Sequence, residues 1–181
     1  IFVYQPVTFY LEIIRGIPTL VLLLYIVLAL IPQGISLGNN LGEWLLAEEI
    51  GSAGFAEYLA TLRVRDIGFE PRAVVALAIS YSAFLAEVFR AGIESVDKGQ
   101  REAAYSLGMT TWQVNRYIVL PQAIRNILPP LGNDFIAMLK ESSLVSIVGV
   151  DDITRLARNF NSATFTIFPA YNIITMTYLV L

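Results

Sequence analysis

The chain has 181 residues, of which 56% are hydrophobic and 15% charged, and its net charge is −3. Soluble domains carry about 25% charged residues, so this composition excludes an ordinary soluble domain and indicates a membrane protein. The chain has no cysteine and no histidine. This excludes thiol nucleophiles, disulfides, histidine acid–base chemistry and the usual zinc sites, and we expect no catalytic residue, metal or cofactor.

Four membrane-spanning segments are predicted, and they cover residues 17–31, 72–89, 131–150 and 168–181. Pro18 lies in the first turn of the first segment, where its missing N–H costs nothing, and Pro32 is expected to end that helix. A hydrocarbon core needs about 20 helical residues, so the second segment is only just long enough. The fold class predicted is therefore all-α, a polytopic transmembrane helical bundle.

The loops between these segments differ in charge. Residues 90–125 contain five Lys or Arg against three acids, whereas residues 33–72 contain six acids and three Arg. Short loops rich in Lys and Arg stay in the cytoplasm. We therefore expect residues 92–126 inside and residues 33–72 outside, where 41–50 and 55–62 are predicted to be amphipathic helices.

The inner loop is predicted to be a hairpin of two short helices. Residues 95–98 open the first helix, and Gly108 suits a left-handed position just after it. The sequence Thr-Thr-Trp-Gln at 110–113 matches a capping box that starts the second helix, and Pro121 is expected to end it.

The first helix of the hairpin carries a small apolar surface beside a carboxylate. Ala103, Ala104 and Leu107 are expected to form this surface, with Glu102 next to it. Small side chains permit close docking into a groove of a partner, and a carboxylate can accept hydrogen bonds from an arginine of that partner. An interfacial helix that only touches lipid headgroups is the alternative that the residues leave open.

Six sequence pieces in one order resemble the polar amino-acid branch of type I ABC importer permeases, which serves histidine, arginine, glutamine and glutamate. The pieces are the residues Tyr10–Pro18, Tyr81–Gly92, Gly99–Ala104 with Gly108, Leu120–Ala123, Leu131–Ile136 and Lys140–Gly149. The Glu-Ala-Ala sequence at 102–104 is similar to the coupling-loop motif of that family. Members usually have five spans, so the resemblance implies one helix before Ile1 and a chain truncated at both ends.

The resemblance implies one membrane-spanning permease domain over residues 1–181 in a bacterial plasma (inner) membrane, crossing it several times. Its partners would be a dimer of ABC ATPase subunits, a second permease subunit in a homo- or heterodimer, and an extracytoplasmic substrate-binding protein. The ligand would be an amino acid, and no nucleic acid is expected. The residues expected to couple the chain to its ATPase are Glu102, Ala103, Ala104, Gly108, Leu120 and Pro121.

Polar side chains within the spans are candidates for the substrate path, because charges there are costly unless they face a polar route or a partner. The candidates are Tyr81, Glu87, Asn133, Lys140, Glu141 and Ser143. Glu87 and Arg90 lie three residues apart and can also pair with each other. Lys140 and Glu141 are adjacent, so they cannot pair face to face on a helix. Bonds that join two permease subunits are the alternative explanation for these polar residues.

The sequence thus predicts the permease subunit of an ATP-driven importer for polar amino acids, and not an enzyme. The phosphate-binding sequence Gly-x-x-x-x-Gly-Lys-Ser/Thr is absent, so ATP would be hydrolysed by the separate ATPase. A permease for another small solute is the nearest alternative. An ATP-independent channel or a membrane-embedded enzyme is a more distant one, because a channel needs no coupling hairpin and an enzyme needs a clustered catalytic set.

Overall fold

The computed structural model describes residues 4–180, and within this range the chain is helical and contains no β-strand. The predicted domain range of 1–181 therefore includes residues 1–3 and 181, which lie outside the described residues. The helices are α1 (Tyr4–Gly16), α2 (Thr19–Tyr25), α3 (Ile31–Ala47), α4 (Ala53–Thr61), α5 (Phe69–Glu94), α6 (Lys98–Ser106), α7 (Thr111–Gln113), α8 (Leu120–Glu141), α9 (Ile153–Thr164) and α10 (Ile167–Val180). Two π-helical segments, Ile26–Leu30 and Val114–Val119, and two 3₁₀ segments, Val64–Asp66 and Ser142–Val148, connect some of them.

The chain divides into two compact units, which are described separately. The first unit contains residues 4–15 and 81–142 of the described range, and the second contains residues 16–80 and 143–180. The first unit therefore holds most of α1, the second half of α5 and all of α6 to α8. The second unit holds α2 to α4, the first half of α5, α9 and α10.

The first predicted span does not end at Pro32, so that prediction is wrong. Residues Thr19–Ala47 form one apolar helical run of 29 residues, with Pro32 in the first turn of α3. The π-helical segment directly before it explains why. The Ile31 N–H bonds to the carbonyl of Ile26, five residues back. This wider turn displaces the carbonyls that a proline ring would meet in a regular α-helix, so the helix continues.

The same arrangement occurs at Pro121, which was also predicted to end a helix. The Leu120 N–H bonds to the carbonyl of Asn115 in the second π-helical segment, and α8 begins at Leu120 and ends at Glu141. The prediction that a helix begins only after Pro129 and Pro130 is therefore wrong. Its predicted end near Val150 agrees with the 3₁₀ segment that follows α8 directly and ends at Val148. Helical structure is already continuous when the chain reaches Pro129 and Pro130, which lie inside α8.

Two helical runs in the described range are long and apolar enough to cross a membrane, Thr19–Ala47 with 29 residues and Phe69–Glu94 with 26. At 1.5 Å per residue these lengths correspond to roughly 44 and 39 Å, more than a hydrocarbon core of about 30 Å. The helix α10 is apolar but shorter. The helix α8 carries four charged residues, so its place in a membrane depends on what those residues face.

The predicted outer loop contains a tight helical hairpin in the second unit. Helices α3 and α4 cover the segments predicted to be helical at 41–50 and 55–62, although α3 ends at Ala47 and α4 at Thr61. A side chain at Gly42 would come within 2.7 Å of the Ala56 carbonyl oxygen. The Asn39 amide donates to the carbonyls of Ala60 and Leu62, each at 3.0 Å. A small residue and a side-chain amide therefore hold α3 against α4.

In the first unit, α5 and α8 cross in close contact at Gly92. A Cβ atom at this position would overlap the side chain of Ile127, so only glycine permits the observed approach. The Asn126 amide donates to the Ser95 hydroxyl at 2.8 Å, and that hydroxyl donates to the Gly92 carbonyl at 2.7 Å. The crossing therefore fixes the start of α8 on the end of α5, and it positions both cavities described below.

Candidate functional site

The predicted hairpin between α5 and α8 is confirmed in its turn chemistry. The Asp97 carboxylate caps α6 by accepting the Gly99 N–H at 2.7 Å. Gly108 has φ +80°, and the N–H groups of Gly108 and Met109 bond back to the carbonyls of Tyr105 and Ala104. This pair of bonds is the Schellman arrangement that glycine favours at a helix end.

The second helix of the hairpin also starts as predicted. The Thr110 hydroxyl accepts the Gln113 N–H, while the Gln113 side chain accepts the Thr110 N–H at 2.8 Å. These two bonds form the capping box. The two ends of the turn are therefore fixed by local hydrogen bonds.

A small hydrophobic core holds the hairpin on α5 and α8. Its buried members are Val96, Ala104, Val114, Val119, Ala123 and Ile127. Ala104 is only 3% exposed, so the expected surface of Ala103, Ala104 and Leu107 is wrong in one member. Residues 103 and 104 are adjacent and point about 100° apart on a helix, and the side of Ala104 faces the core. Ala104 therefore packs the hairpin from within.

The other residues expected to contact an ATPase occupy two places. Glu102, Ala103 and Gly108 are exposed on the hairpin, next to Leu107, whose surface is 83% exposed. Leu120 and Pro121 are also exposed, but they lie in the first turn of α8 beyond the π-helical segment. The hairpin thus presents a carboxylate and a large apolar side chain beside a glycine turn.

A cavity of about 590 Å³ lies between α5 and α8, and we name it the Glu141 chamber. Its polar lining is made by Tyr81, Asp134 and Glu141, and its apolar lining includes Phe84, Leu131 and Met138. The Tyr81 hydroxyl donates to Glu141 Oε2 at 2.8 Å. Cavities of about 300–1,000 Å³ with apolar walls and a few polar groups are typical of small-molecule sites.

The structure brings together only part of the predicted substrate-path set in this chamber. Tyr81 and Glu141 line it, whereas Asn133 and Lys140 are exposed and do not. Asp134 lines it and was missing from the candidates. Asp134 and Glu141 are seven residues apart, two helical turns, so they share a face of α8. Asn133 and Lys140 have the same spacing one residue earlier, on a face about 100° away. This periodicity is the signal that selects Asp134.

A second cavity of about 560 Å³ lies along the same helices, nearer the hairpin, and we name it the Arg15 chamber. Its lining includes the predicted residue Glu87, together with Arg15, Ser95 and Asn126. Phe84 and Asp134 line both chambers. Residues 81–85 of α5 line the Glu141 chamber, and residues 84–92 of α5, with Ser95 just after the helix, line the Arg15 chamber. The two cavities therefore follow each other along α5.

Glu87 belongs to a chain of ion pairs. Arg90 donates to Glu87 through two nitrogens, as the three-residue spacing predicts, and its Nη1 also pairs with Glu94 at 2.6 Å. Arg15 of α1 approaches Glu87 Oε2 with Nη1 at 3.7 Å, a longer contact. Glu87 is therefore already hydrogen-bonded on its own helix, and Arg15 is an additional neighbour.

Ser143, the last predicted path residue, belongs to the second unit. It lies in the 3₁₀ segment after α8, where its carbonyl accepts the Ser146 hydroxyl at 2.8 Å. Its role in a substrate path remains a prediction.

The whole chain, residues 1–181, matches the family described as "binding-protein-dependent transport system inner membrane component". The chain belongs to this family. Its members are transport components of an inner membrane and not catalytic subunits. The helical hairpin and the two cavities therefore lie in a chain whose family forms the inner-membrane component of a transport system.

The chain is similar to several bacterial permeases of known sequence. It is 48% identical over 107 residues to a probable glutamine ABC transporter permease protein of Bacillus subtilis, covering 59% of this chain and 50% of that protein. It is 33% identical over 129 residues to a glutamine transport system permease protein of Escherichia coli, covering 70% of this chain and 59% of that protein. The chain thus spans about half the length of the curated relatives it matches.

The fold is similar to that of a solved transporter. A structure described as the crystal structure of an amino acid ABC transporter with histidines aligns with a TM-score of 0.74 and 43% identity. The alignment covers 96% of this chain and 67% of that one. The predicted fold class, an all-α bundle of the type I ABC importer permease kind, is confirmed, as is the predicted family.

Proposed function

We propose that this chain is the permease subunit of an ATP-driven importer for polar amino acids and that the amino acid passes through the Glu141 chamber. The observation that carries the proposal is the pair Asp134 and Glu141, two carboxylates on one face of α8 in an otherwise apolar cavity. Ionisable groups within a membrane bundle are costly and mark substrate routes by default. The similar proteins are named as glutamine, arginine and other amino-acid permeases, which agrees with this substrate class.

The chamber suits the groups that all α-amino acids share. The ammonium is attracted by Asp134 and Glu141, and charge-assisted hydrogen bonds of this kind are the strong ones. Tyr81 holds one Glu141 oxygen by its hydroxyl and leaves the other oxygen available to a ligand. The apolar walls, with Phe84 and Met138 among them, accommodate the carbon chain of the substrate. Carboxylates also suit a second positive charge, as in arginine.

The hairpin supplies the contact with the ATPase in this proposal. Glu102 offers a carboxylate for an arginine of the partner, and Ala103 and Leu107 offer the apolar contact. Gly108 sets the direction of the turn, and Ala104 holds the hairpin on α5 and α8 from inside the core. Movement of a bound partner would therefore reach both helices that line the chambers. Leu120 and Pro121 transmit this movement at the first turn of α8.

The proposed assembly contains two permease subunits, identical or different, two ATPase subunits and an extracytoplasmic substrate-binding protein. The proposed location is the bacterial plasma membrane, which the chain crosses several times. Residues 33–72 face the outside and residues 92–126 the cytoplasm, in agreement with the excess of Lys and Arg in the inner loop.

Uptake of labelled amino acids by the reconstituted complex tests the proposal. The full-length subunit is purified with its ATPase and placed in proteoliposomes containing ATP, with the binding protein added outside. Saturable uptake of at least one of L-glutamine, L-arginine, L-histidine and L-glutamate that stops without ATP is expected. Equal uptake with and without ATP would indicate a channel and contradict the proposal.

A further inference from the structure

We infer that the Arg15 chamber is a second amino-acid site, in which Arg15 binds the α-carboxylate while Glu87 and Asp134 face the α-ammonium. The inference rests on the proposed function, because it assigns a second position to the same substrate. Its ligand class is the zwitterionic head shared by α-amino acids, whatever the side chain.

The charges that line this chamber match a zwitterion. Among its described lining residues, Arg15 is the one cation, and Glu87 and Asp134 are the carboxylates. A guanidinium presents a planar set of donors that fits a carboxylate with two parallel hydrogen bonds. A cation and two anions around one cavity therefore complement a molecule that carries a carboxylate and an ammonium on the same carbon atom.

Arg15 is available for this role because Glu87 does not depend on it. Arg90 already donates two hydrogen bonds to Glu87, whereas the contact from Arg15 is 3.7 Å long. The Arg15 side chain is 44% exposed, so a ligand in the chamber can reach it. A substrate carboxylate can replace Glu87 beside Arg15 while Glu87 keeps its bonds to Arg90. After this exchange every charge still has a partner. The large cost of burying an unpaired charge is therefore avoided.

The neutral polar groups of the chamber do not compete for Arg15. The Asn126 amide donates to the Ser95 hydroxyl, and the Ser95 hydroxyl donates to the Gly92 carbonyl. Both side chains are therefore engaged in the contact between α5 and α8. These two side chains are a fixed polar part of the lining, and the charged side chains recognise the substrate.

The two chambers share the lining residues Phe84 and Asp134, so they are successive positions on one substrate route. Both residues line both cavities, and Phe84 stands on α5 between the Tyr81 end and the Ser95 end. Asp134 can hold the substrate ammonium while the substrate is in the Glu141 chamber. The ammonium can stay bound to Asp134 while the rest of the substrate moves past the Phe84 ring. The substrate carboxylate then meets Arg15. In the proposed orientation, this second position is the one nearer the cytoplasm.

Protection of single cysteines by substrate tests the inference in the full complex. The chain has no cysteine, so Ala137→Cys reports on the Glu141 chamber and Ala91→Cys on the Arg15 chamber. Each is labelled with a small thiol reagent in ATPase-containing proteoliposomes, and labelling of this subunit is followed by its mass. L-glutamine, L-arginine, L-histidine and L-glutamate are the probes. At about ten times the apparent dissociation constant, labelling of a covered cysteine slows about tenfold.

Three further variants distinguish the role of Arg15. We expect protection at both cysteines, loss of protection at Ala91→Cys alone when Arg15→Gln is added, and partial recovery with Arg15→Lys. Glu94→Gln is the matched control, because Glu94 pairs with Arg90 but does not line the chamber, and protection should persist. Arg15→Lys also keeps the test decisive if Arg15→Gln does not assemble.

The outcomes separate this inference from the proposed function. Protection at Ala137→Cys without protection at Ala91→Cys would overturn the second site and leave the proposed function intact. Unchanged protection at Ala91→Cys in Arg15→Gln would overturn the assignment of Arg15. Absence of protection at both positions with every amino acid would contradict the proposed function, and the inference with it.

Discussion

The Tyr81 hydroxyl donates a hydrogen bond of 2.8 Å to Glu141, joining two side chains 60 residues apart in the chain. The bond joins α5 to α8 at the lining of the Glu141 chamber and holds one oxygen of the Glu141 carboxylate. A substrate can share this carboxylate with Tyr81, because a carboxylate has about four acceptor positions. The bond thus positions the Glu141 carboxylate for a ligand and leaves some of its hydrogen-bond acceptor positions unused.

Removing either chamber carboxylate should weaken substrate uptake. In Glu141→Gln and Asp134→Asn we expect the apparent KM for the amino acid to rise about tenfold or more, because a hydrogen bond to a charged group is worth about 1.5–3 kcal/mol. Uptake kinetics in proteoliposomes measure this effect, and co-purification measures assembly with the ATPase. Asn133→Ala, on the neighbouring face of α8, is the matched control and should leave the KM within about twofold.

A different pattern would favour a structural role for these carboxylates. If Glu141→Gln and Asp134→Asn abolish assembly while the surviving protein transports with the normal KM, the two residues join subunits and do not bind substrate. Wild-type assembly and wild-type KM in both variants would remove them from the path altogether.

The crossing of α5 and α8 should not tolerate a side chain at Gly92. Gly92→Ala places a methyl group onto Ile127, and overpacking of this kind typically costs about 1–3 kcal/mol. We expect a lower melting temperature of the purified complex. Gly132→Ala is the matched control, because nothing lies within 4 Å of that position. Adding Ile127→Ala to Gly92→Ala should recover part of the loss, and strictly additive losses would contradict the contact.

The turn of the hairpin should require a residue that accepts positive φ. Gly108→Val should reduce co-purification of the ATPase, because a β-branched side chain strains the left-handed conformation. Gly108→Asn should retain more of the partner, since asparagine enters this region more readily. Glu102→Ala should weaken binding of the ATPase without changing the turn at Gly108. Equal ATPase recovery in the wild type and all three variants would show that the hairpin is not the coupling surface.

The proposed topology can be tested on the same cysteine-free background. Ser52 and Ser106 are both exposed, on the predicted outer and inner sides. In intact cells, an impermeant thiol reagent should label Ser52→Cys and leave Ser106→Cys unmodified until the membrane is opened. Labelling of Ser106→Cys alone would invert the orientation of the chain.

Local hydrogen-bonding rules predicted the turn of the hairpin correctly, because the turn depends on short-range chemistry. The left-handed Gly108 and the capping box at Thr110 were both found as expected. The prolines at 32 and 121 were interpreted wrongly, because a π-helical segment before each one removes the conflict with the helix. Such a segment has no clear signature in a single sequence, so a proline alone does not locate the end of a membrane helix.

The sequence predicts part of the candidate site. The contacts between its helices were not predicted, because they depend on tertiary structure. Glu141 and Tyr81 were among the candidates, but their contact requires the crossing of α5 and α8 at Gly92. Helical periodicity would have added Asp134 and set Asn133 and Lys140 apart. Arg15 lies on α1, and nothing in the spacing of the sequence connects it to Glu87, so the second chamber emerged only from the fold.

Blocking the Glu141 chamber tests most directly whether the substrate passes through it. The complex carrying Ala137→Cys is labelled to completion with a bulky thiol reagent, and ATP-driven uptake of the amino acid is then measured in proteoliposomes. We predict that labelling abolishes uptake, that substrate slows the labelling, and that the same reagent on Ser52→Cys leaves uptake unchanged. Full uptake by completely labelled Ala137→Cys would contradict a substrate path through this chamber.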